Sequence, residues 1–169
     1  MLCTMLLPTL LLAALPSTVL AHPRYHNSEY YTLGCPPTTK PFASQHEQLT
    51  VLTNFATEVF VQHNLDQGYN TYAAKNFINH APEISGNGTA IAIATQGPML
   101  KGGTTEIQRI FAGRDANGTS YGTIHFKGIS LKLGVGDIAG IWRFAGTCLV
   151  EYWDVATGVY NSTNPIAYF

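Results

Sequence analysis

Charged residues are scarce in this sequence, and their scarcity excludes several classes of protein. Lysine and arginine together number 9 and aspartate and glutamate 10, so only 11% of the 169 residues are charged. No segment gathers lysine and arginine into the basic stripe that binds the phosphates of nucleic acids. Tyrosine and phenylalanine are frequent, with 9 and 8 residues. We therefore expect neutral, partly apolar partners and no nucleic acid.

Long apolar runs are absent once the first segment is set aside. Residues 1–21 combine an apolar run with Val19 and Ala21 at a small-residue cleavage site, which is typical of a signal peptide. Pro8 and Pro16 interrupt the run and disfavour a membrane-spanning helix, and no later stretch approaches the ~20 apolar residues that a span needs. We expect a secreted protein that has no contact with the membrane after cleavage.

Cysteine is rare as well. Cys3 lies in the signal segment, which leaves Cys35 and Cys148 in the mature chain. In the oxidising environment of a secreted protein these two cysteines are expected to form a structural disulfide. Three sequons predict N-glycosylation in exposed loops, at Asn87, Asn117 and Asn161.

The sequence also lacks the spacings of metal and phosphate sites. No two histidine, cysteine or carboxylate positions have the helical spacing of metal ligands, and the HEQ string at His46 lacks the second histidine of a zinc protease. No glycine-rich phosphate loop follows a predicted strand. We expect neither a metal nor an organic cofactor.

The hydrophobic period predicts helices in the first half of the chain. Residues 22–43 look extended and irregular, and Ser44 with Glu47 then forms a capping box that begins a helix over 44–63. Two shorter helices are expected over 66–74 and 89–95, the second ended by Gly97-Pro98.

From Thr104 the period changes to two, which predicts strands. Asn117-Gly118 is a strong hairpin signal, and residues 145–147 are expected to form a second turn. Helices followed by such a meander are typical of an α+β fold. The four expected strands cover 105–114, 120–132, 138–144 and 148–155.

Three strings occur in a familiar order. The chain reads NFINHAPEISGNGTAIA over 76–92, TIHFKG over 123–128 and IAGIWRFAGTCLVEYWDV over 138–155. They resemble the QHNP…G segment, the histidine-bearing strand and the closing hairpin of SnoaL-like proteins, members of the nuclear-transport-factor-2-like superfamily. The resemblance covers residues 44–155. The tail 156–169 is expected to be loop.

This resemblance implies a cone-shaped fold, in which helices pack on a curved four-stranded antiparallel sheet around an apolar cavity. SnoaL-like proteins include polyketide cyclases that close rings by intramolecular aldol chemistry without metal or cofactor. Other members of the superfamily are dehydratases, isomerases or plain binding modules, so the fold alone does not fix a function.

Two positions depart from the family pattern. Gly140 stands where the family often has aspartate, and Tyr152 stands where it has histidine. If Phe144 pairs with Cys148 across the turn, Gly140 lies opposite Tyr152 on one face of the sheet. A small residue would then make room for the larger ring.

The family pattern implies a site around the final EYWD string. Asp154 matches the terminal aspartate and would share the cavity face with Val150 and Tyr152. Apolar surroundings raise the pKa of a carboxylic acid towards neutrality, as a base that removes a proton alpha to a carbonyl requires. The alternative is a structural carboxylate that binds a backbone amide or Arg143.

Three further side chains are candidates to polarise the carbonyl: His80, His125 and Tyr152. Each has a structural alternative. His80 could fasten a helix-to-loop corner, His125 could lie on a polar outer face, and Tyr152 could be plain cavity wall. By analogy the pocket would be lined by Phe60, Tyr72 and Trp142.

These expectations lead to cofactor-independent acid–base catalysis on a small, apolar, polyketide-like metabolite, by cyclisation, isomerisation or dehydration. One alternative is a secreted binding protein that kept the cavity without the chemistry. The other is an interaction protein that forms a homodimer through the open sheet face.

Overall fold

A computed structural model of the chain describes residues 27–82, 84–131, 134–159 and 168. The expected signal segment 1–21, the sequon at Asn161 and most of the tail lie outside these residues. No helix in the described part of the chain is long and apolar enough to cross a membrane. The helices are α1 Asn27–Thr32, α2 Gln45–Ala56, α3 Leu65–Tyr72 and α4 Thr89–Leu100, and a π-helical segment Thr57–Val61 continues α2. The strands are β1 Ala73–Asn79, β2 Thr104–Arg114, β3 Ser120–Ser130, β4 Gly134–Ala145 and β5 Cys148–Gly158.

The strands form one sheet in the order β1-β5-β4-β3-β2. The meander β2 to β5 is antiparallel, as the sequence predicts, and β1 adds a parallel fifth strand beside β5. The expected count of four strands was wrong because β1 was missed. Its parallel partner is remote in the sequence, so no hairpin signal marks it.

The predicted helix over 44–63 is confirmed, with one irregularity. The Ser44 hydroxyl accepts a hydrogen bond from the Glu47 backbone at 3.2 Å, and the Glu47 carboxylate accepts one from the Ser44 backbone at 2.9 Å. Near its end the helix widens into the π-helical segment, which buries Val59 and Phe60 together. The helix stops before His63, which takes the left-handed conformation at φ 56°.

The other predicted boundaries need correction. Helix α3 ends at Tyr72 rather than at residue 74, because the chain turns into β1. Helix α4 runs past the expected stop to Leu100, with Pro98 accommodated in its last turn. Strand β5 continues to Gly158, so the first residues of the expected tail are strand.

The region expected to be irregular contains α1, which covers a second apolar cluster. Tyr30 packs there with Ala74, Ala145, Cys148 and Val150. The predicted disulfide between Cys35 and Cys148 is present at this place. It ties the lead-in to the start of β5.

The main core lies between the helices and the other face of the sheet. Aromatic rings meet edge to face at its centre, where Phe55 contacts Tyr69 and Trp142 with ring centroids 5.2 and 5.8 Å apart. Leu52, Phe77, Phe144 and Leu149 are fully or almost fully buried around them.

The two predicted hairpins form, but the second has a different register. In the first turn the Asp115 carboxylate accepts hydrogen bonds from the backbone of Asn117 and of Thr119, each at 2.9 Å. The second turn contains two residues rather than three, and a β-bulge follows at Val150. These two changes shift the pairing of β4 and β5 by two positions.

The shift corrects two expectations. Gly140 pairs with Asp154, and Trp142 pairs with Tyr152, so the expected direct pairing of Gly140 with Tyr152 was wrong. The bulge also turns Val150 towards the second cluster. Asp154 therefore shares its face with Tyr152 but not with Val150.

Candidate functional site

A cavity of about 320 Å³ lies between the inner face of the sheet and α4. Phe60 and Phe126, stacked with ring centroids 4.7 Å apart, and Ile138 give it apolar walls. Met99 and Leu100 of α4 close another side. Its size and lining are those of a site for a small, largely apolar molecule.

Two glycines keep space free in the wall of this cavity. Gly128 and Gly136 face each other across β3 and β4 and both line it. A Cβ atom at either position would lie 3.0 or 3.1 Å from Cδ1 of Ile138. Larger residues at this pair would take up space that the cavity now occupies.

One carboxylate faces this apolar space. Asp154 is the only side chain with a full charge among the described residues that line the cavity. Tyr152 lines it too, and its hydroxyl donates a hydrogen bond to Oδ2 of Asp154 at 3.2 Å. Because both residues follow the bulge on alternate positions of β5, the strand itself holds them side by side. The structure thus brings together two of the four predicted catalytic residues.

The Tyr152 ring is fixed from several sides. It is 4% exposed and packs against Trp142 and Phe77, with ring centroids 4.7 and 6.5 Å away. A Cβ atom at Gly140 would clash with the Trp142 ring and would lie 3.1 Å from Cε2 of Tyr152. Gly140 does make room for aromatic rings, as expected, although the Trp142 ring needs more of that room than Tyr152 does.

His80 lies outside the cavity. It follows strand β1 rather than a helix, and its Nε2 is 2.7 Å from Oε1 of Glu151. Its ring stacks on Trp153 with centroids 4.8 Å apart and planes 2° from parallel. These contacts place it on the outer face, where it fastens the end of β1 to β5.

A network of hydrogen bonds and ion pairs extends from His80 along the outer face. Arg143 donates from Nε to Glu151 and from Nη2 to Glu29 of α1, both at 2.6 Å. Burial opposes ionisation of Glu151, but the hydrogen bonds from His80 and Arg143 and the charge of Arg143 outweigh it and lower the pKa of Glu151. Arg143 is therefore engaged on the side of the sheet opposite to Asp154.

His125 also points away from the cavity. It alternates with Ile124 and Phe126, which face inwards, and its Nε2 lies 2.5 Å from Oδ1 of Asp137 on β4. The polar outer face that the sequence left open as an alternative is where the residue lies. Neither histidine can touch a molecule held in the cavity as the structure stands.

The three expected pocket residues separate in the same way. Phe60 lines the cavity, whereas Trp142 is fully buried behind Tyr152. Tyr72 packs against the main core and is not part of the cavity wall.

Two of the three predicted glycosylation sites lie in the described part of the chain, and both are exposed. Asn87 accepts a hydrogen bond through Oδ1 from the Asn79 backbone at 3.0 Å, and Asn117 lies in the first hairpin turn.

Sequence reasoning missed one polar residue of the cavity, Gln96 of α4. It is only 9% exposed, lines the cavity and accepts a hydrogen bond through Oε1 from the hydroxyl of Tyr69 at 2.8 Å. A signal was available, because Thr89, Ala92 and Gln96 recur at helical spacing on the buried face of α4. A glutamine on such a face needs a partner or a ligand.

The described residues contain no group of three histidine, cysteine, aspartate or glutamate side chains placed to hold a metal ion. Among the described residues, the cavity is lined by three polar side chains discussed above: the carboxylate of Asp154, the phenol of Tyr152 and the amide of Gln96. The hydroxyl-bearing residues Thr104, Thr105, Ser130 and Thr157 also line it.

Comparison with solved structures identifies the fold. A nuclear-transport-factor-2-like protein of unknown function from Burkholderia xenovorans is 15% identical and aligns over 70% of this chain and 89% of its own, with a TM-score of 0.52. A proposed polyketide cyclase from Acidithiobacillus ferrooxidans is 17% identical over 65% of this chain and 87% of its own, with a TM-score of 0.48. The proposed hydroxylase AclR from Streptomyces galilaeus is 14% identical over 67% and 80%, with a TM-score of 0.49. No family model and no curated protein matches the sequence.

The likeness to the Burkholderia protein establishes the architecture and not the activity. The curved sheet, the helices packed on its inner face and the cavity between them are the parts that the resemblance implied, although the sheet has five strands rather than four. The chain has the nuclear-transport-factor-2-like fold. Its function has to be argued from its own cavity.

Proposed function

We propose that this protein binds a small, mostly apolar carbonyl compound in the cavity and catalyses acid–base chemistry on it without a cofactor. Asp154 removes a proton from the carbon next to the carbonyl and returns it elsewhere on the same molecule. The observation that carries this proposal is the contact between Tyr152 and Asp154 inside a cavity whose described lining has no other charge.

Tyr152 acts on the base in this scheme. Its single hydroxyl proton points to Oδ2 of Asp154, so the bond orients the carboxylate on the cavity wall. A carboxylate held in this way can meet a C–H bond of the ligand without reorganising. Because its proton is donated to Asp154, Tyr152 does not donate to the carbonyl oxygen as predicted, and another group of the cavity has to do so.

The charge of the cavity selects the ligand. A carboxylate in apolar surroundings repels an anion strongly, because little water is present there to screen the two charges from each other. A neutral ligand avoids this repulsion. A polyketide-like ketone that undergoes cyclisation, isomerisation or dehydration is such a ligand.

We propose further that the protein works outside the cytosol. The leader over residues 1–21 and the three sequons motivate this, and the disulfide between Cys35 and Cys148 supports it. Expression in a eukaryotic secretory host tests it. We expect mature protein in the medium that begins at His22 and loses mass on enzymatic deglycosylation, whereas retention in the cytosol would contradict the proposal.

The chemistry can be tested with 1-tetralone, a neutral bicyclic ketone. In D2O a base in the cavity exchanges the protons next to the carbonyl for deuterium, which NMR spectroscopy follows directly. We expect Asp154→Asn to slow this exchange by about 10²-fold or more, the usual contribution of a general base. Asp66→Asn changes an exposed carboxylate on α3 and should exchange like the wild type.

Two other results would change the conclusion. Equal exchange rates for wild type and Asp154→Asn would remove Asp154 from the chemistry. Tight binding of the ketone without any exchange by the wild type would favour the alternative function, a secreted binding protein.

A further inference from the structure

Tyr69 and Gln96 form a buried polar pair at the edge of the cavity. Tyr69 of α3 is 1% exposed, and its hydroxyl donates to Oε1 of Gln96 at 2.8 Å. Burial raises the pKa of Tyr69, so the hydroxyl keeps its proton and remains a donor. The direction of this hydrogen bond is thereby fixed, since the buried proton needs an acceptor.

This bond determines which end of the Gln96 amide is left over. A carboxamide has its oxygen and its NH2 group on opposite sides of one planar unit. Because Oε1 is engaged by Tyr69, Nε2 is the end available to the cavity that Gln96 lines. Gln96 makes no other hydrogen bond to the described residues. A side chain 9% exposed thus offers two N–H donors to whatever fills the cavity.

We propose that Gln96 is the ligand-binding donor of this site: its Nε2 donates a hydrogen bond to the carbonyl oxygen of the bound molecule, and Tyr69 positions it. The inference deepens the proposed function and rests on it for the identity of the ligand as a ketone. Gln96 takes the role of donor to the carbonyl oxygen. Tyr152 cannot fill this role while its hydroxyl proton is donated to Asp154.

The proposal defines the ligand further. Removing a proton next to a carbonyl places negative charge on the carbonyl oxygen, and a fixed neutral donor stabilises that charge. Gln96 lies on α4 and Asp154 on β5, so the two groups contact the ligand from different walls of the cavity. The molecule therefore presents a neutral acceptor oxygen to α4 and an acidic C–H bond to β5, with apolar groups between them.

A ratio of dissociation constants tests the role of Gln96. The two probes are 1-tetralone and 1,2,3,4-tetrahydronaphthalene, which has a methylene group in place of the carbonyl group. Both are titrated against each variant. We expect Gln96→Met to lower the preference for the ketone about tenfold relative to the wild type, which is the contribution of one well-formed hydrogen bond. Tyr69→Phe releases the amide and should lower the preference by a smaller factor.

Two controls keep a folding defect from imitating this result. Tyr69→Phe combined with Gln96→Met replaces both partners by apolar groups, so no buried polar atom is left without a partner. This double variant should fold, bind the hydrocarbon like the wild type and show the same loss of ketone preference as Gln96→Met. The carbonyl stretch of bound 1-tetralone should lie at lower frequency in the wild type than in either Gln96 variant.

The outcomes separate this inference from the proposed chemistry. Asp154→Asn should keep the ketone preference while it loses deuterium exchange. A preference that depends on Gln96 without any exchange by the wild type would support the donor and refute the base. An unchanged ratio in both Gln96 variants would overturn the inference, and so would failure of the wild type to bind either probe.

Discussion

Gly140 shows how one missing methyl group shapes the site. It pairs with Asp154 across β4 and β5, and the ring of Trp142 fills the place where its side chain would be. Tyr152 lies next to that ring and donates to Asp154. The position of the proposed base therefore depends on a glycine that never touches a ligand.

The change Gly140→Ala should destabilise the fold by about 1–3 kcal/mol, the usual cost of overpacking a core. Gly113→Ala in β2 is the matched control, since a Cβ atom there would meet nothing within 4 Å. Urea unfolding measures both, and the control should be unchanged or slightly more stable. Equal losses in the two variants would show that Trp142 and Tyr152 do not require the space.

At this scale the sequence predicted that Asp154 and Tyr152 share a face of the sheet, but it predicted the wrong pairing of β4 with β5. The family pattern and the alternation of β5 placed Asp154 and Tyr152 on one face, and they are so placed. The register could not be predicted, because nothing in the string CLVEYWDV marks Val150 as the extra residue of a bulge. His80 and His125 were grouped with them by the family resemblance, although hydrogen bonds with Glu151 and Asp137 hold both on the outer face.

Among the helices and strands, α2 has the start that the sequence predicts most clearly, because a capping box marks it. Its capping box is joined by Lys40, whose Nζ lies 2.8 Å from Oε1 of Glu47. The hydrogen bond from Lys40, then those from Ser44, and the charge of Lys40 lower the pKa of Glu47 from its ordinary value of 4.5 to about 2. The start of this helix is therefore more stable when Glu47 is ionised than when it is protonated.

This shift predicts a pH dependence with a definite sign. The folded-state pKa is below the unfolded one, so the stabilisation is complete above pH 4.5 and is lost as the pH falls towards about 2. The free energy of unfolding should be higher for the wild type than for Glu47→Gln at pH 7, and the two values should converge between these limits. Urea titrations at several pH values measure the difference, and Asp66→Asn controls for net charge. A constant difference down to pH 2 would contradict the prediction.

The elements that sequence reasoning missed have remote partners. Strand β1 has no hairpin and pairs with β5 in parallel, and α1 is held by contacts to β4 and to the disulfide cluster. Local patterns predicted α2 and the first hairpin well because caps and turns are local. The tertiary context also decided the end of α4, since Leu100 beyond Pro98 packs into the cavity wall.

For the whole molecule, the disulfide is the longest covalent restraint. It joins residues 113 positions apart and closes the lead-in onto the start of β5. Reduction should lower the free energy of unfolding by about 4–5 kcal/mol, because a loop of this length restricts the unfolded chain strongly. Denaturant unfolding with and without reductant measures this. The double variant with Cys35→Ala and Cys148→Ala should have the same free energy of unfolding with and without reductant. An oxidised wild-type protein that is no more stable than this variant would refute the prediction.

The whole molecule also sets what the cavity can do. The inner face of the sheet holds the core at one end and the cavity at the other, while the hydrogen bonds of His80 and His125 lie on the outer face. Dimerisation through that outer face stays a prediction. The carboxylate of Asp154, the phenol of Tyr152 and the amide of Gln96 line the cavity on the inside.

A crystal structure of the protein with bound 1-tetralone tests this account most directly. We predict the ketone inside the cavity beside Phe60 and Phe126, with its alpha carbon about 3–3.5 Å from the Asp154 carboxylate, the distance at which a reaction can begin. Its oxygen should lie within hydrogen-bond distance of Nε2 of Gln96. A ketone bound on the outer face, or one whose alpha carbon faces away from Asp154, would contradict the account.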